Sequence, residues 1–192
     1  MDYPVFKEEM KSSYTILIPD MLPIHFKLII NILKKYGYHV ELLQTSTRAV
    51  VDEGLKNVHN DTCYPALLVI GQFINALKSG KYDVNRTALM LTQTGGGCRA
   101  SNYIHLLRKA LKKEFPQVPV ISLNLSGLEK GSGLSLTLPL LIKVVYAVFY
   151  GDLLMSLYNQ CKPYEIHSGE SESVREKWQE KLTTIFDNCL LY

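Results

Sequence analysis

One stretch of this chain reads Thr87-Ala88-Leu89-Met90-Leu91-Thr92 and runs directly into Gln93-Thr94-Gly95-Gly96-Gly97-Cys98. A short apolar run without alternation is typical of a strand that is buried on both faces of a parallel sheet. Three glycines in succession permit positive φ and let backbone amides approach a bulky anionic group. The stretch therefore predicts a buried parallel strand that leads into a loop suited to binding, with a thiol at the end of that loop.

Strand-like and helix-like segments alternate on both sides of this stretch. Strand character occurs at residues 14–19, 39–43, 87–92 and 118–123. Helical spacing occurs at residues 21–36, 48–58, 66–77, 101–113, 136–158 and 171–186. This alternation favours a Rossmann-like, doubly wound α/β fold, with a mainly parallel sheet of about four strands and helices on both faces. We expect residues 136–158 to form a long, largely buried helix or a broken pair of helices.

The composition is that of an ordinary globular protein: 47% of the 192 residues are apolar, 20% are charged, and the net charge is +3. The only dense basic run, residues 108–113, is typical of a solvated helix face, so we exclude nucleic acid as a partner. The first apolar run is too short for a signal peptide, and charges, a glycine and a proline interrupt the longest one. We therefore expect a cytoplasmic protein without a membrane span. The widely spaced cysteines are expected to be reduced thiols: Cys63, Cys98, Cys161 and Cys189.

Two of these cysteines lie in loops that precede predicted helices. Cys63 stands in Asn60-Asp61-Thr62-Cys63-Tyr64-Pro65, and Cys98 stands in Thr94-Gly95-Gly96-Gly97-Cys98-Arg99-Ala100. The amides and the positive dipole end at a helix start lower the pKa of a thiol and stabilise anionic sulfur. We expect both thiols at the edge of the sheet formed by the carboxyl ends of its strands, where such sheets bind ligands.

Three chemistries could use Cys98. A phosphatase-like loop requires an arginine six positions after the cysteine, but Ile104 stands there. A nucleophile elbow is compatible with Gly96-Gly97-Cys98-Arg99-Ala100, which resembles the turn of α/β hydrolases and class I amidotransferases, with His167 as the base. The third chemistry is ligation of an iron-sulfur cluster by Cys63 and Cys98. Spacing alone leaves the second and third chemistries open.

The sequence around the two cysteines favours the cluster. The segments His59-Asn60-Asp61-Thr62-Cys63-Tyr64-Pro65-Ala66 and Thr92-Gln93-Thr94-Gly95-Gly96-Gly97-Cys98-Arg99-Ala100-Ser101-Asn102-Tyr103 resemble the two cysteine segments of the 2-hydroxyacyl-CoA dehydratase superfamily. They resemble more closely those of the large activase-related proteins, in which an ATP-dependent activator module and a dehydratase-like module share one chain. The resemblance extends from Tyr14 to about Trp178.

This resemblance implies an α/β lobe that holds a four-iron four-sulfur or double-cubane cluster. In that family an ATP-hydrolysing activator supplies low-potential electrons, and true dehydratases expel the hydroxyl of a 2-hydroxyacyl-CoA in anaerobic metabolism. Carried over by position, Cys63 and Cys98 become the metal ligands. Further residues are expected to contact the cofactor: Gly95, Gly96, Gly97, Arg99, Ser101 and Asn102.

Several of these polar residues have two expected roles. Arg99 balances the charge of the cluster or holds a CoA phosphate. Ser101 and Asn102 hydrogen-bond to sulfur or cap the following helix, and Asp61 and Thr62 cap the helix after Cys63.

The chain also departs from the family. Members complete their cluster with at least one further cysteine, whereas Cys161, after a helix expected to be buried, and Cys189, in an apolar tail, are expected to be inert. No nucleotide-binding fingerprint is present in the sequence. We therefore expect one lobe of a larger protein, which would act as a lyase or redox component and would be inactive by itself. We expect an N-terminal extension at 1–13, an α/β cluster-binding lobe at 14–165 and a C-terminal helix and tail at 166–192. A further lobe or subunit would supply the missing ligands, and an activator module the electrons.

Two alternatives remain. One is a cysteine hydrolase that uses Cys98 with His167. The other is a non-catalytic docking module.

Overall fold

The computed structural model describes residues 3–44, 46–59, 61–93, 102–124, 134 and 137–188. The chain forms two compact units. The sheet unit comprises Met1–Met21 and Tyr38–Ser135, and the helical unit comprises Leu22–Gly37 and Leu136–Tyr192.

The strands of the described part are β1 (Thr15–Pro19), β2 (His39–Leu43), β3 (Thr87–Gln93) and β4 (Val120–Asn124). Its α-helices are α1 (Pro23–Lys35), α2 (Arg48–Asn57), α3 (Tyr64–Lys78), α4 (Tyr103–Glu114), α5 (Leu138–Cys161) and α6 (Glu170–Asn188). In this part of the chain the sheet has four strands in the order β2-β1-β3-β4, and all three strand pairs are parallel. The predicted doubly wound, Rossmann-like α/β fold is thereby confirmed.

The core of the sheet unit explains why the central strands are continuously apolar. Side chains from Ile16 to Ile18 in β1 and from Ala88 to Leu91 in β3 are at most 2% exposed. Leu17, Leu89 and Leu91 join the apolar faces of α3 and α4 in one hydrophobic cluster. Burial of this apolar surface is the main favourable contribution to the stability of the unit.

Helices α2 and α3 approach each other closely enough to require glycine. A Cβ at Gly71 in α3 would lie 2.0 Å from the carbonyl oxygen of Val50 in α2. A Cβ at Gly54 in α2 would lie 2.4 Å from the carbonyl oxygen of Leu67 in α3. Both clashes are with backbone atoms, so neither can be relieved by rotating a side chain.

Several predicted boundaries differ from the structure by one to three residues, and two of them have a clear local reason. α3 begins at Tyr64, two residues before the predicted start, because a proline is tolerated in the first helical turn. β4 begins at Val120 and not at 118, because the amide of Val118 donates to the carbonyl of Phe115 in the turn after α4.

The helical unit is formed by α1, α5 and α6, and polar contacts join the three helices. Gln179 of α6 donates to the buried carbonyl of Ile24 in α1 at 2.9 Å. Lys143 of α5 donates to the carbonyl of Phe186 in α6 at 3.2 Å.

For residues 136–158 the prediction left open one long, largely buried helix or a broken pair; the structure has the single helix, but the predicted burial was wrong. α5 is one continuous helix of 24 residues, because Pro139 lies in its first turn, where a proline does not interrupt helical hydrogen bonds. It is, however, largely exposed. Among the described residues, α5 with the short turn after it, Leu138–Tyr164, is the one helix that is long and apolar enough to span a membrane. Of its most apolar 18-residue segment, 17% is buried.

The turn between α5 and α6 is organised by Glu165. Its carboxylate accepts hydrogen bonds from Lys162 Nζ at 2.9 Å, from the amide of Gly169 at 2.9 Å and from the amide of Ser171 at 3.2 Å. The bond from Lys162, followed by that from Gly169, lowers the pKa of Glu165 to about 2.

Candidate functional site

The strand order of the sheet unit marks a binding edge. β1 lies between β2 and β3. After β1 the chain adds β2 on one side of the sheet, whereas β3 and β4 are added on the other side, so the order of strand addition reverses between β1 and β3. In open α/β sheets, ligands bind beyond the carboxyl ends of the strands at this reversal. Here β1 ends at Pro19 and β3 ends at Gln93, and the segment after Gln93 is the one that carries Cys98.

Cys63 stands at the N-cap position of α3 with extended backbone angles, φ −60° and ψ 144°. Its side chain makes no capping hydrogen bond and is half-buried. The Sγ atom lies 3.0 Å from the hydroxyl of Tyr103, the first residue of α4. This contact brings the N-terminal ends of α3 and α4 together at the thiol.

The same helix is tied to the end of β1. The amide of Asp20, the residue after β1, donates to Oε1 of Gln72 in α3 at 3.2 Å, and the Gln72 side chain is buried. Gln72 follows Cys63 by nine positions, 72 − 63, which is about 14 Å along a helix axis. Cys63, at the N-terminal end of α3, therefore lies about 14 Å along the helix axis from the contact between Gln72 and Asp20.

Cys63 and Asn102 hold the N-cap positions of α3 and α4, and neither side chain makes a capping hydrogen bond. Cys63 itself occupies the N-cap of α3, so the expected role for Asp61 and Thr62 was wrong. Asp61 instead pairs with Nδ1 of His59 at 3.2 Å, on an exposed loop. Asn102 is at the N-cap of α4, but its side chain makes no capping hydrogen bond. Tyr103 is buried, and its hydroxyl contacts the sulfur of Cys63.

Most of the predicted cofactor-binding residues lie outside the described residues. These are Gly95, Gly96, Gly97, Cys98, Arg99 and Ser101. Their roles, and the convergence of Cys98 with Cys63, stay predictions.

The other candidate residues of the sequence lie in the helical unit. Cys161 is exposed at the last residue of α5, and its expected inertness stays a prediction. His167, the alternative base, is exposed in the turn before α6. Cys189 lies outside the described residues. Within the described ranges, no group of three or more His, Cys, Asp or Glu side chains is placed to hold a metal ion.

A histidine–carboxylate pair in the helical unit was missed by the sequence patterns. His25, in the first turn of α1, is 5% exposed, and its Nε2 lies 2.9 Å from Oδ1 of Asp152 in α5. The ring packs against Gly151, where a Cβ would lie 2.4 Å from Cδ2 of His25. Among the described residues, Nδ1 has no hydrogen-bond partner. The contact with the carboxylate holds the ring in this orientation. In the sequence, Gly151 and Asp152 interrupt the apolar run of α5 at the position where the ring packs.

No protein-family model matches this chain, and no curated protein or solved structure matches it either.

Proposed function

We propose that this chain is the cluster-binding lobe of a protein related to the 2-hydroxyacyl-CoA dehydratases and their activases, with Cys63 and Cys98 as thiolate ligands of an iron-sulfur cluster. The observation that carries the proposal is the 3.0 Å contact between Cys63 Sγ and the Tyr103 hydroxyl. It joins the helix that begins after Cys63 to the helix that follows the Cys98 segment, as a shared site requires. The resemblance of both cysteine segments to that superfamily supplies the identity of the cofactor.

The surroundings of Cys63 suit a thiolate ligand. The N-terminal amides and dipole of the 15-residue helix α3 stabilise negative charge at its N-cap. Cys63 is partly buried against the hydrophobic core of the sheet unit, which limits the access of water and oxidants to the thiol. The Tyr103 hydroxyl is placed to donate to the sulfur, and hydrogen bonds to ligand sulfurs help to set the reduction potential of a cluster.

The remaining parts of the site follow from the chemistry of such cofactors. When bound, the cluster would supply low-potential electron transfer to a dehydratase or reductase reaction in the cytoplasm. The amides of Gly95, Gly96 and Gly97 and the guanidinium of Arg99 would balance its charge. Two thiolates are fewer than the four that a cubane cluster requires, so a further lobe or subunit would complete the ligand set and an activator module would deliver electrons.

Anaerobic reconstitution with iron and sulfide tests this proposal. The native chain, alone or with a complementing lobe, should acquire the visible charge-transfer absorption of an iron-sulfur cluster, and Cys63→Ala and Cys98→Ala should each abolish it under the same conditions. Cys161→Ala is the matched control, because it removes an exposed thiol at the end of α5 and should leave the absorption unchanged. Equal absorption in all four proteins would contradict ligation by Cys63 and Cys98.

The hydrolase alternative gives a different result in the same proteins. If Cys98 is a nucleophile activated by His167, an acyl electrophile will label Cys98 in the native chain and will fail to label it in His167→Ala. Labelling of that kind, without any cluster absorption, would replace the proposal with the hydrolase.

A further inference from the structure

Helix α5 carries a row of exposed apolar side chains, which we name the apolar stripe. Their exposed fractions range from 43% to 68%. The stripe consists of Leu138, Val145, Tyr146, Phe149, Leu153 and Leu157. Successive members are mostly three, four or seven positions apart, so they lie on one side of the helix.

The stripe is a second apolar face of α5, distinct from the one that its own unit covers. The buried residues of α5 are Leu140, Ala147, Gly151 and Leu154, which also recur at helical spacing. A surface helix normally has one apolar face and one polar face. α5 has apolar side chains on both sides, and in the described part of the chain the outer side remains exposed.

Charged residues do not interrupt the stripe. α5 contains two charged side chains, Lys143 and Asp152, at the borders of the stripe. Lys143 bonds to the carbonyl of Phe186, and Asp152 bonds to His25, both inside the helical unit. A face that presents apolar and tyrosine side chains can pair with an identical face without placing like charges opposite each other.

The area of the stripe matches one side of a stable dimer. From their exposed fractions, the six side chains expose roughly 700 Å², more than the largest apolar patch of a typical monomer at about 300–600 Å². A standard protein interface buries about 800 Å² on each partner. Tyr146 and Phe149, near the middle of the stripe, are of the residue types that dominate interface energetics.

A membrane is the other apolar environment that such a helix could enter, but the neighbours of α5 argue against it. α6 packs on α5 through the Tyr150–Phe186 ring contact at 5.9 Å. α6 is rich in charge, with Glu172, Arg175 and Glu176 among its residues. Insertion of α5 would draw these charges towards the hydrocarbon, which is unfavourable.

We propose that the apolar stripe is a self-association surface, through which two copies of this chain form a two-fold symmetric dimer. Such an isologous contact uses the same patch on both copies and is the most common form of oligomer. The dimer does not depend on the cluster, so it should form in the metal-free chain.

Sedimentation equilibrium of the full metal-free chain tests the dimer. Leu153→Ser should raise the dimer dissociation constant at least about tenfold, and Phe149→Ser about 100-fold, because each change occurs twice in a symmetric pair. The matched control is Leu55→Ser in α2, which makes the same substitution at a similar exposed fraction, 46% against 52% for Leu153, and should leave dimerisation unchanged. Circular dichroism confirms that the variants are folded.

Three results would overturn the proposal. The first is a native chain that stays monomeric at about 100 μM, a concentration well above the dissociation constants of typical dimers. The second is a dimer that survives both stripe substitutions. The third is a chain that is monomeric in detergent and floats with phosphatidylcholine vesicles, which would assign the stripe to a membrane.

Discussion

Replacing Gly71 with alanine should destabilise the sheet unit, because the new methyl group would collide with the backbone of α2. The added Cβ would lie 2.0 Å from the Val50 carbonyl oxygen, whereas ordinary contact begins near 3.4 Å, so the helices must separate by 1.4 Å (3.4 − 2.0). Overpacking of this kind lowers the free energy of unfolding by about 3 kcal/mol, and the higher helix propensity of alanine offsets about 1 kcal/mol of that loss. We expect a net loss of about 2 kcal/mol in the free energy of unfolding.

Urea denaturation followed by circular dichroism measures this loss, with the slope of the transition checked for constancy. Gly80→Ala is the control: no atom lies within 4 Å of its added Cβ, and only the positive φ of 73° opposes the change, at a cost of about 1 kcal/mol. Gly71→Ala should therefore unfold at a lower urea concentration than Gly80→Ala. If Gly71→Ala is as stable as the native chain, or more stable than the control, the close packing of α2 on α3 is refuted.

Three other substitutions have defined outcomes. Tyr103→Phe removes the hydroxyl bonded to Cys63 and should lower the free energy of unfolding by about 1 kcal/mol in a urea titration; no change would mean that the bond is not formed. Gly151→Ala forces a methyl group to within 2.4 Å of the His25 ring and should lower the melting temperature, with a displaced His25 ring signal in NMR spectra; an unchanged spectrum would contradict the contact. Glu165→Gln removes a carboxylate whose pKa is lowered to about 2, so its stabilisation is complete above the ordinary carboxyl range and disappears as the pH falls through about 2. The native chain should therefore be more stable than Glu165→Gln at pH 7, and the difference should shrink towards pH 2; a constant difference would refute this assignment.

The strands were the part of the fold most accessible from the sequence. β2 has the predicted bounds, His39–Leu43, and β3 extends the predicted strand by one residue to Gln93. Strands of a parallel sheet are buried on both faces, so they appear as short apolar runs between helical segments. Cys63 at a helix start was also predictable, because the proline after it is favoured in the first turn.

The exposure of α5 and the His25–Asp152 pair could not be predicted from local patterns. An apolar run indicates that a segment favours burial, but it does not indicate whether the same chain or another molecule covers that segment. For this reason the burial of α5 was wrongly predicted. His25 and Asp152 are 127 positions apart, and only the packing of α1 on α5 brings them together. The bond from Tyr103 to Cys63 likewise spans 40 positions and depends on how α3 and α4 converge.

The iron and acid-labile sulfide bound per chain after anaerobic reconstitution test the central claim most directly. We expect the native chain, alone or with a complementing lobe, to bind iron and labile sulfide in equal amounts, and Cys63→Ala to lose both while Cys161→Ala retains them. Iron without labile sulfide, or the same content in Cys63→Ala as in the native chain, would contradict the assignment of Cys63 as a cluster ligand.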